Sequence, residues 1–184
     1  MEPNERSKMS GGAEANKSGL TWEAWVKTLA EKQRFTVHKH ALRETCTIPV
    51  AERRILWTHA PYRTLFHTIK NPRKASTEYV LECGADQVRV ECKWQGVAGS
   101  VDEKYPFMYL NAALTMTEPT VVFALGGEYF EHGKGAEVRE WLRDVCTHPP
   151  AWFSDEVRTR LQQRQLLVLT PNTFAKWFRE RFAE

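Results

Sequence analysis

Apolar residues recur at helical spacing in several parts of the chain. Within TWEAWVKTLAEKQRF, which starts at Thr21, the residues Trp22, Trp25, Val26 and Leu29 lie at positions i, i+3, i+4 and i+7. This spacing lines one face of an amphipathic helix, for which Thr21 is a suitable cap. The same spacing predicts helices in two later segments, 138–145 and 174–182.

Two runs with strand character flank a short turn. TEYVLEC (77–83) and VRVECKWQ (88–95) enclose the turn residues GADQ, and this arrangement predicts a β-hairpin. Every second residue of the two runs is apolar, including Tyr79, Leu81 and Val90. We therefore expect one face of the hairpin to pack against helices.

The opposite face of the hairpin carries charge. A turn centred on residues 85–86 places Glu78 opposite Lys93 and Val80 opposite Glu91, and directly paired residues share a face. Glu78, Glu91 and Lys93 are therefore expected to converge.

Other segments complete an alternating order of helices and strands. Residues 1–19 contain almost nothing to bury and predict a disordered leader, followed by a single domain over 20–184 with a C-terminal helical addition. The pattern further predicts a strand RILWTHA (54–60), a basic turn or loop IKNPRKAS (69–76), a helix over 102–116 with Pro106 in its first turn, a strand TVVFALGG (120–127) buried on both faces, a helix from about Ser154 and a strand QLLVL (165–169).

Composition narrows the class of protein. The 184 residues are 42% hydrophobic and 27% charged, which fits one globular domain with a sizeable core. The formal net charge of +3 is far from that of a histone-like protein. No apolar run approaches the ~20 residues of a membrane helix, and the first residues lack the apolar centre of a signal peptide, so we expect no membrane partner and a cytoplasmic location.

The four cysteines and six histidines point to no metal-binding framework. The cysteines are widely spaced without a CxxC pair, which favours reduced, buried thiols over disulfides or a structural zinc site. The histidines are scattered, so surface or satisfied core positions are the simpler interpretation.

The charged hairpin face suggests a divalent cation. Two carboxylates held close together, here Glu78 and Glu91, repel each other unless a positive group lies between them. Mg²⁺ takes one or two carboxylates and keeps its other positions for water and phosphate oxygens. Lys93 is suited to orient or deprotonate an attacking water or to neutralise charge in the transition state, and Gln95 to hold water or phosphate by hydrogen bonds. The plain structural alternative is a solvated sheet face with a Lys–Glu pair.

These residues resemble a known family. A hairpin-borne E…ECK that follows a helix with a Glu is similar to the PD-(D/E)XK nuclease superfamily. The resemblance extends over about residues 20–145 and is closest to one branch, whose characteristic stretches correspond in this chain to TEYVLEC, VECKWQGVAGSVDEKYPFMYLNA and VVFALGG. It implies an α/β fold of the restriction-endonuclease-like type, with an α-β-β-β-α-β core and a central mixed sheet flanked by helices.

The resemblance also implies roles for particular residues. Glu91 and Lys93 match the metal ligand and the catalytic lysine of the ExK motif, and Glu78, preceded by Thr77 where the family often has Pro, matches the upstream acid. Glu23 matches a helix-borne Glu that many members place beside the metal. The implied activity is hydrolysis of a nucleic-acid phosphodiester, most often in DNA, with Mg²⁺ or Mn²⁺.

Basic and polar residues near the hairpin are candidates for binding the nucleic-acid backbone, since Lys and Arg contacts to phosphates supply affinity without sequence preference. The candidates are Arg73, Lys74, Ser100 and Lys104, with Arg53, Arg54 and Arg63 as weaker ones; a solvated surface explains each equally well.

Two functional classes remain. The first is a metal-dependent nuclease, possible as a homodimer because cutting both strands of a duplex often pairs two active sites. The second is a catalytically silent nucleic-acid-binding or assembly protein that retains the fold. The presence of Glu78, Glu91 and Lys93 favours the enzyme, because a binding module gains nothing from adjacent carboxylates against phosphate.

Overall fold

The structure is a computed structural model of the chain. It describes the backbone of residues 11–63, 74–97 and 104–183, and the side chains of 19–62, 75–97 and 104–183. Arg73 and Ser100, and most of the predicted loop 69–76, lie outside the described residues.

Apart from a short strand at 36–39 that the sequence pattern did not predict, the helices and strands of the described chain follow the expected order. The elements are α1 (Gly11–Lys32), β1 (Thr36–Lys39), β2 (Arg54–Arg63), β3 (Lys74–Cys83), β4 (Asp86–Trp94), α2 (Lys104–Leu114), β5 (Thr120–Gly126), α3 (Gly133–Thr147), α4 (Asp155–Gln162), β6 (Gln165–Leu169) and α5 (Pro171–Arg181). The predicted strands at 54–60, 120–127 and 165–169 and the helix within 102–116 are confirmed.

The six strands form one mixed sheet in the order β1 to β6. β1 runs parallel to β2, the strands β2, β3 and β4 are antiparallel to one another, and β4, β5 and β6 are parallel. The expected α-β-β-β-α-β core corresponds to α1, β2, β3, β4, α2 and β5, and the mixed α/β class is confirmed.

Helices cover both faces of the sheet, which explains why β5 is buried along its whole length. One face carries Tyr79, Leu81 and Val90 against residues of α1 and α5. The other face packs against α2, α3 and α4. The predicted apolar face of the hairpin is therefore the layer beneath α1 and α5.

Two details of the helices differ from the expectation. Helix α1 begins at Gly11 instead of at Thr21, so Thr21 is not a cap and the expected disorder does not extend over residues 11–19. The early segment AEANKSG contains strong helix formers such as Ala and Glu, whose helix propensity favours a start before Thr21. Trp25 and Trp141 match the apolar spacing but remain 37% and 41% exposed, because each lies at the edge of its buried stripe.

The hairpin turn lies nearer the N-terminus than expected. Cys83 pairs with Asp86 and Tyr79 with Val90, so the turn consists of Gly84 and Ala85. Gly84 has a φ of 58°, a conformation that glycine adopts without steric cost. The predicted partners are therefore wrong by two positions. Since side chains alternate with a period of two, the shift leaves every residue on its expected face.

The sheet divides beside Glu78. Pairing of β3 with β4 runs from the turn to Tyr79 and Val90. Beyond that point β3 pairs with β2 as far as Lys74, whereas β4 pairs with β5 as far as Trp94. This division, which we call the fork, places Glu78 on one branch and Glu91 on the other.

Two general expectations can be compared with the structure. The four cysteines are free thiols; Cys92 is buried as expected, whereas Cys46, Cys83 and Cys146 are only partly buried. Within the described part of the chain, no helix has the length and apolar character needed to cross a bilayer.

Candidate active site at the fork

Lys93 lies between the two carboxylates of the fork. Its Nζ is 2.5 Å from Oε1 of Glu91 and 3.7 Å from Oε1 of Glu78. Burial opposes the charge on Lys93, but the neighbouring carboxylates of Glu91 and Glu78 outweigh it and raise the pKa of the amine above its ordinary value. Lys93 is thus an ammonium group in the position where two carboxylates need a cation.

Glu91 is the most deeply buried member of this group. The residue is 6% exposed, and its Oε2 has no hydrogen-bond partner among the described residues. Burial raises the pKa of the Glu91 carboxyl, an effect that Lys93 opposes and Glu78 reinforces. A buried carboxylate oxygen without a partner is costly, so a ligand for this atom would stabilise the site.

Glu78 occupies the position of a missing strand contact. At the fork, its Oε2 accepts a hydrogen bond of 2.7 Å from the backbone N–H of Cys92. Beyond the fork the β3 backbone no longer pairs with β4, and the carboxylate accepts the hydrogen bond of a β4 amide in its place. Extension of the observed register aligns Glu78 with Glu91, not with Lys93 as the sequence predicts, because a turn one position earlier shifts each cross-strand partner by two.

Gln95 is held by protein groups on both sides of its amide. The Tyr105 hydroxyl donates to its Oε1 over 2.8 Å, and its Nε2 donates to the Val97 carbonyl over 3.0 Å. Gln95 therefore fixes the end of β4 against the start of α2. Its direct role in catalysis stays a prediction.

Glu23 lies on the other side of Glu78. Together with Lys27, His59 and Glu78 it lines a cavity of about 260 Å³ beneath α1, and Glu91 does not line this cavity. Burial, and then repulsion from Glu78, raise the pKa of the Glu23 carboxyl. Within the described residues no group of three His, Cys, Asp or Glu side chains is arranged to hold a metal ion. The three-carboxylate ligand set is thus not assembled, and Glu23 as a ligand stays a prediction.

A second cavity lies on the α2 side of the same residues. It has a volume of about 360 Å³ and is lined by Glu91, Lys93 and the exposed Lys104. Among the predicted phosphate-binding residues, Lys104 is therefore beside the site. Lys74 begins β3, although its side chain, like that of Arg63, lies outside the described side chains.

Arg53 and Arg54 are engaged elsewhere. Arg53 donates to the buried Glu82 over 3.1 Å, and Arg54 donates to the backbone carbonyls of Gln33 and Phe182. These contacts fix the start of β2 to its neighbours. The structural interpretation of both arginines is therefore the better supported one.

A buried ion pair next to the site was not recognised in the sequence. Arg89 is 3% exposed and donates two hydrogen bonds to Glu118, at 2.5 and 2.8 Å. The same guanidinium donates to the Ala60 carbonyl and to the Thr77 hydroxyl, at 2.9 and 3.0 Å. Arg89 thereby holds both strands of the β2–β3 branch next to Glu78. The sequence feature that could have identified Arg89 is its position two residues before Glu91, which places both side chains on the same face of β4.

The sequence also provides no indication of the unusual backbone conformation of His59. It has a φ of 54°, in the left-handed region that is uncommon for residues other than glycine. It lies where the β2–β3 register aligns it with Glu78, between the pairs Thr58–Tyr79 and Ala60–Thr77. The irregular backbone of β2 thus coincides with the fork.

The donor set at the fork fits a divalent metal ion. Glu78 and Glu91 supply the hard carboxylate oxygens that Mg²⁺ and Mn²⁺ prefer, and two such ligands are a usual number for Mg²⁺. The structural observation that supports this fit is the Oε2 atom of Glu91, which has no hydrogen-bond partner within the described part of the chain.

Comparison with known proteins identifies one similarity. A model of the PD-(D/E)XK nuclease superfamily domain matches residues 14–182. No curated protein matches, and no solved structure matches.

Proposed function

Because the chain belongs to the PD-(D/E)XK nuclease superfamily, we propose that it is a metal-dependent nuclease that hydrolyses phosphodiester bonds of DNA at the fork. The observation that carries the proposal is the group formed by Glu78, Glu91 and Lys93. The choice of DNA over RNA, and of internal bonds over chain ends, extends beyond the family match.

Glu78 and Glu91 are the proposed ligands of Mg²⁺, for which Mn²⁺ can substitute. When bound, the metal would lower the pKa of a coordinated water and stabilise charge on the phosphoryl oxygens. Glu91 contributes a fixed, buried oxygen, and Glu78 is oriented by the N–H of Cys92.

Lys93 is the proposed catalytic residue beside the metal ligands. As an ammonium it donates a proton in a hydrogen bond and neutralises negative charge that grows on the phosphate oxygens. The carboxylate of Glu91 holds its Nζ on the face of β4 that adjoins the α2-side cavity. Although burial opposes it, the carboxylates of Glu91 and Glu78 raise the pKa of Lys93 and favour its charged form.

The charged surroundings also bear on the partner. Lys104 is exposed beside the cavity and is proposed to contact a backbone phosphate, together with Arg73, Lys74 and Ser100. We further propose a cytoplasmic protein with reduced thiols, and a homodimer if both strands of a duplex are cut.

The second candidate function is a catalytically silent nucleic-acid-binding or assembly protein. The fold alone supports it equally, but two carboxylates around one lysine weaken the binding of phosphate unless a metal is present. The enzyme is therefore the better supported function.

Purified protein tests the proposal directly on single-stranded, duplex and branched DNA and on RNA, each with Mg²⁺ or Mn²⁺. We expect cleavage of DNA that stops with EDTA and is lost in the Lys93→Ala variant, while circular dichroism shows an intact fold. A protein that is inert on every substrate with either metal would support the silent binding function.

A further inference from the structure

The α2-side cavity contains more than catalytic groups. With about 360 Å³ it falls in the range of roughly 300–1,000 Å³ that is typical of small-molecule sites. Glu91 and Lys93 belong to its wall, so a group bound there is next to the proposed scissile phosphate. The rest of its wall includes Tyr62, Lys104, Phe107 and Asn111.

Phe107 gives this cavity an accessible aromatic surface. It is 43% exposed, whereas its neighbours Tyr105 and Met108 on α2 are 1% and 7% exposed and belong to the core. The Phe107 side chain therefore points away from the core that α2 covers. Tyr62, half-buried on β2, supplies a second ring to the same wall.

The lysines, the aromatic rings and the volume of the α2-side cavity together suit the binding of one nucleotide. An aromatic ring stacks on a nucleobase of any type, and a nearby lysine binds the attached phosphate. Lys104 and Lys93 supply such amines in this wall, while Phe107 and Tyr62 supply the rings. A nucleobase that is paired and stacked within a duplex has its flat faces covered, so it must leave the stack before it can enter a cavity.

We propose that this cavity receives an unstacked nucleobase adjacent to the phosphate that is cut, and that the substrate is therefore single-stranded nucleic acid or the frayed or overhanging end of a duplex. This inference rests on the proposed nuclease function and specifies its substrate class. Phe107 binds the base by stacking, and it has no part in the bond-breaking step.

Binding of labelled oligonucleotides tests the inference without hydrolysis. Fluorescence anisotropy in EDTA, and again in Ca²⁺, compares a single strand, a duplex with an overhang and a blunt duplex of equal length. A strand that carries 2-aminopurine reports stacking, because the emission of this base analogue falls when it stacks on a ring. We expect tighter binding of the first two substrates and quenching at one position of the strand.

Three variants separate stacking from apolar contact. Phe107→Leu removes the ring but keeps an apolar side chain, and should weaken single-strand binding about tenfold and abolish the quenching. Phe107→Tyr keeps the ring and should retain both. Trp152→Ala serves as the matched control, because Trp152 is a 78% exposed aromatic residue that does not line this cavity.

The possible outcomes distinguish this inference from the proposed function. Equal binding of blunt duplex and single strand, or a Phe107→Leu variant that behaves like Trp152→Ala, would overturn the nucleobase site even if Lys93-dependent cleavage is observed. Ring-dependent quenching without any cleavage under Mg²⁺ or Mn²⁺ would support the nucleobase site and overturn the nuclease function.

Discussion

Lys93 Nζ lies 2.5 Å from Oε1 of Glu91, on a strand that places both side chains on one face of the sheet. The second oxygen of the same carboxylate has no partner among the described residues. One oxygen of Glu91 is thus engaged by the ammonium, and the other is the atom that we propose as a metal ligand.

Removal of the ammonium should abolish most activity. Replacement of Lys93 by Met keeps the length of the side chain but not its charge, and should lower the rate of DNA cleavage by about 10²- to 10³-fold, the usual cost of removing one group that stabilises charge in the transition state. Lys176→Met is the control, because Lys176 is 74% exposed on α5. Cleavage by Lys93→Met at the rate of the control would contradict the proposed role.

Substitution of either proposed ligand should remove metal binding. Mn²⁺ that binds the folded state raises its melting temperature by mass action. We expect this increase in the unaltered protein and its loss in Glu78→Gln and Glu91→Gln, as measured by differential scanning calorimetry. Glu180→Gln, which changes a 64% exposed residue, should retain it. An undiminished increase in both fork variants would place the metal elsewhere.

Metal binding should weaken on mild acidification. Because burial raises the pKa of Glu91, this carboxyl takes up a proton at a higher pH than an ordinary glutamic acid, whose pKa is about 4.3. The protonated carboxyl no longer attracts a cation, so the affinity for Mn²⁺ is present at neutral pH and falls as the pH decreases through the raised pKa. Calorimetric titration of Mn²⁺ from about pH 7 down to about pH 4 measures the midpoint. A midpoint at or below the ordinary value would contradict the expectation.

The Arg89–Glu118 pair should be essential for stability. Arg89→Met leaves the Glu118 carboxylate buried without its main partner, which should lower the free energy of unfolding by about 3–5 kcal/mol. Arg89→Met combined with Glu118→Leu removes both charges and should cost less. Arg160→Met, which breaks an exposed pair with Glu156, should change stability by less than about 1 kcal/mol. Urea unfolding provides the values, and equal losses in the single and double variants would contradict this explanation.

Gly127 should tolerate no side chain. Its φ is 105°, and a Cβ atom there would lie 2.1 Å from the backbone oxygen of Gln95. Gly127→Ala should therefore displace the end of β4 and lower both stability and activity. Gly84→Ala is the control, because Gly84 also has a positive φ but has open space around it, so its cost should be limited to about 1–2 kcal/mol. Thermal unfolding measures the stability of the two variants. Similar losses of stability in both would contradict the role of the steric contact at Gly127.

Local periodicity predicted most of the fold and the face on which the site lies. The alternation in 88–95 placed Glu91 and Lys93 together, and this survived an error of two positions in the register because the alternation has the same period. The assignment of elements required no knowledge of distant contacts. The family match over residues 14–182 agrees with this result.

Features that depend on distant contacts were not predictable in the same way. Arg89 and Glu118 are 29 positions apart, and neither strand nor helix periodicity relates them. The left-handed backbone of His59 follows no glycine or turn signal in the sequence. The separation of Glu23 from Glu91 into different cavities results from the packing of α1 and α2 on opposite faces of the sheet.

The fork gives the proposed cation a mechanical effect as well as a chemical one. Between the turn and the fork, the branches carrying Glu78 and Glu91 are joined by the short β3–β4 ladder, and beyond it each branch pairs with a different neighbour. An ion shared by the two carboxylates would join the two branches of the sheet. Metal binding would then be linked to the angle between the branches, so that a change in one would change the other.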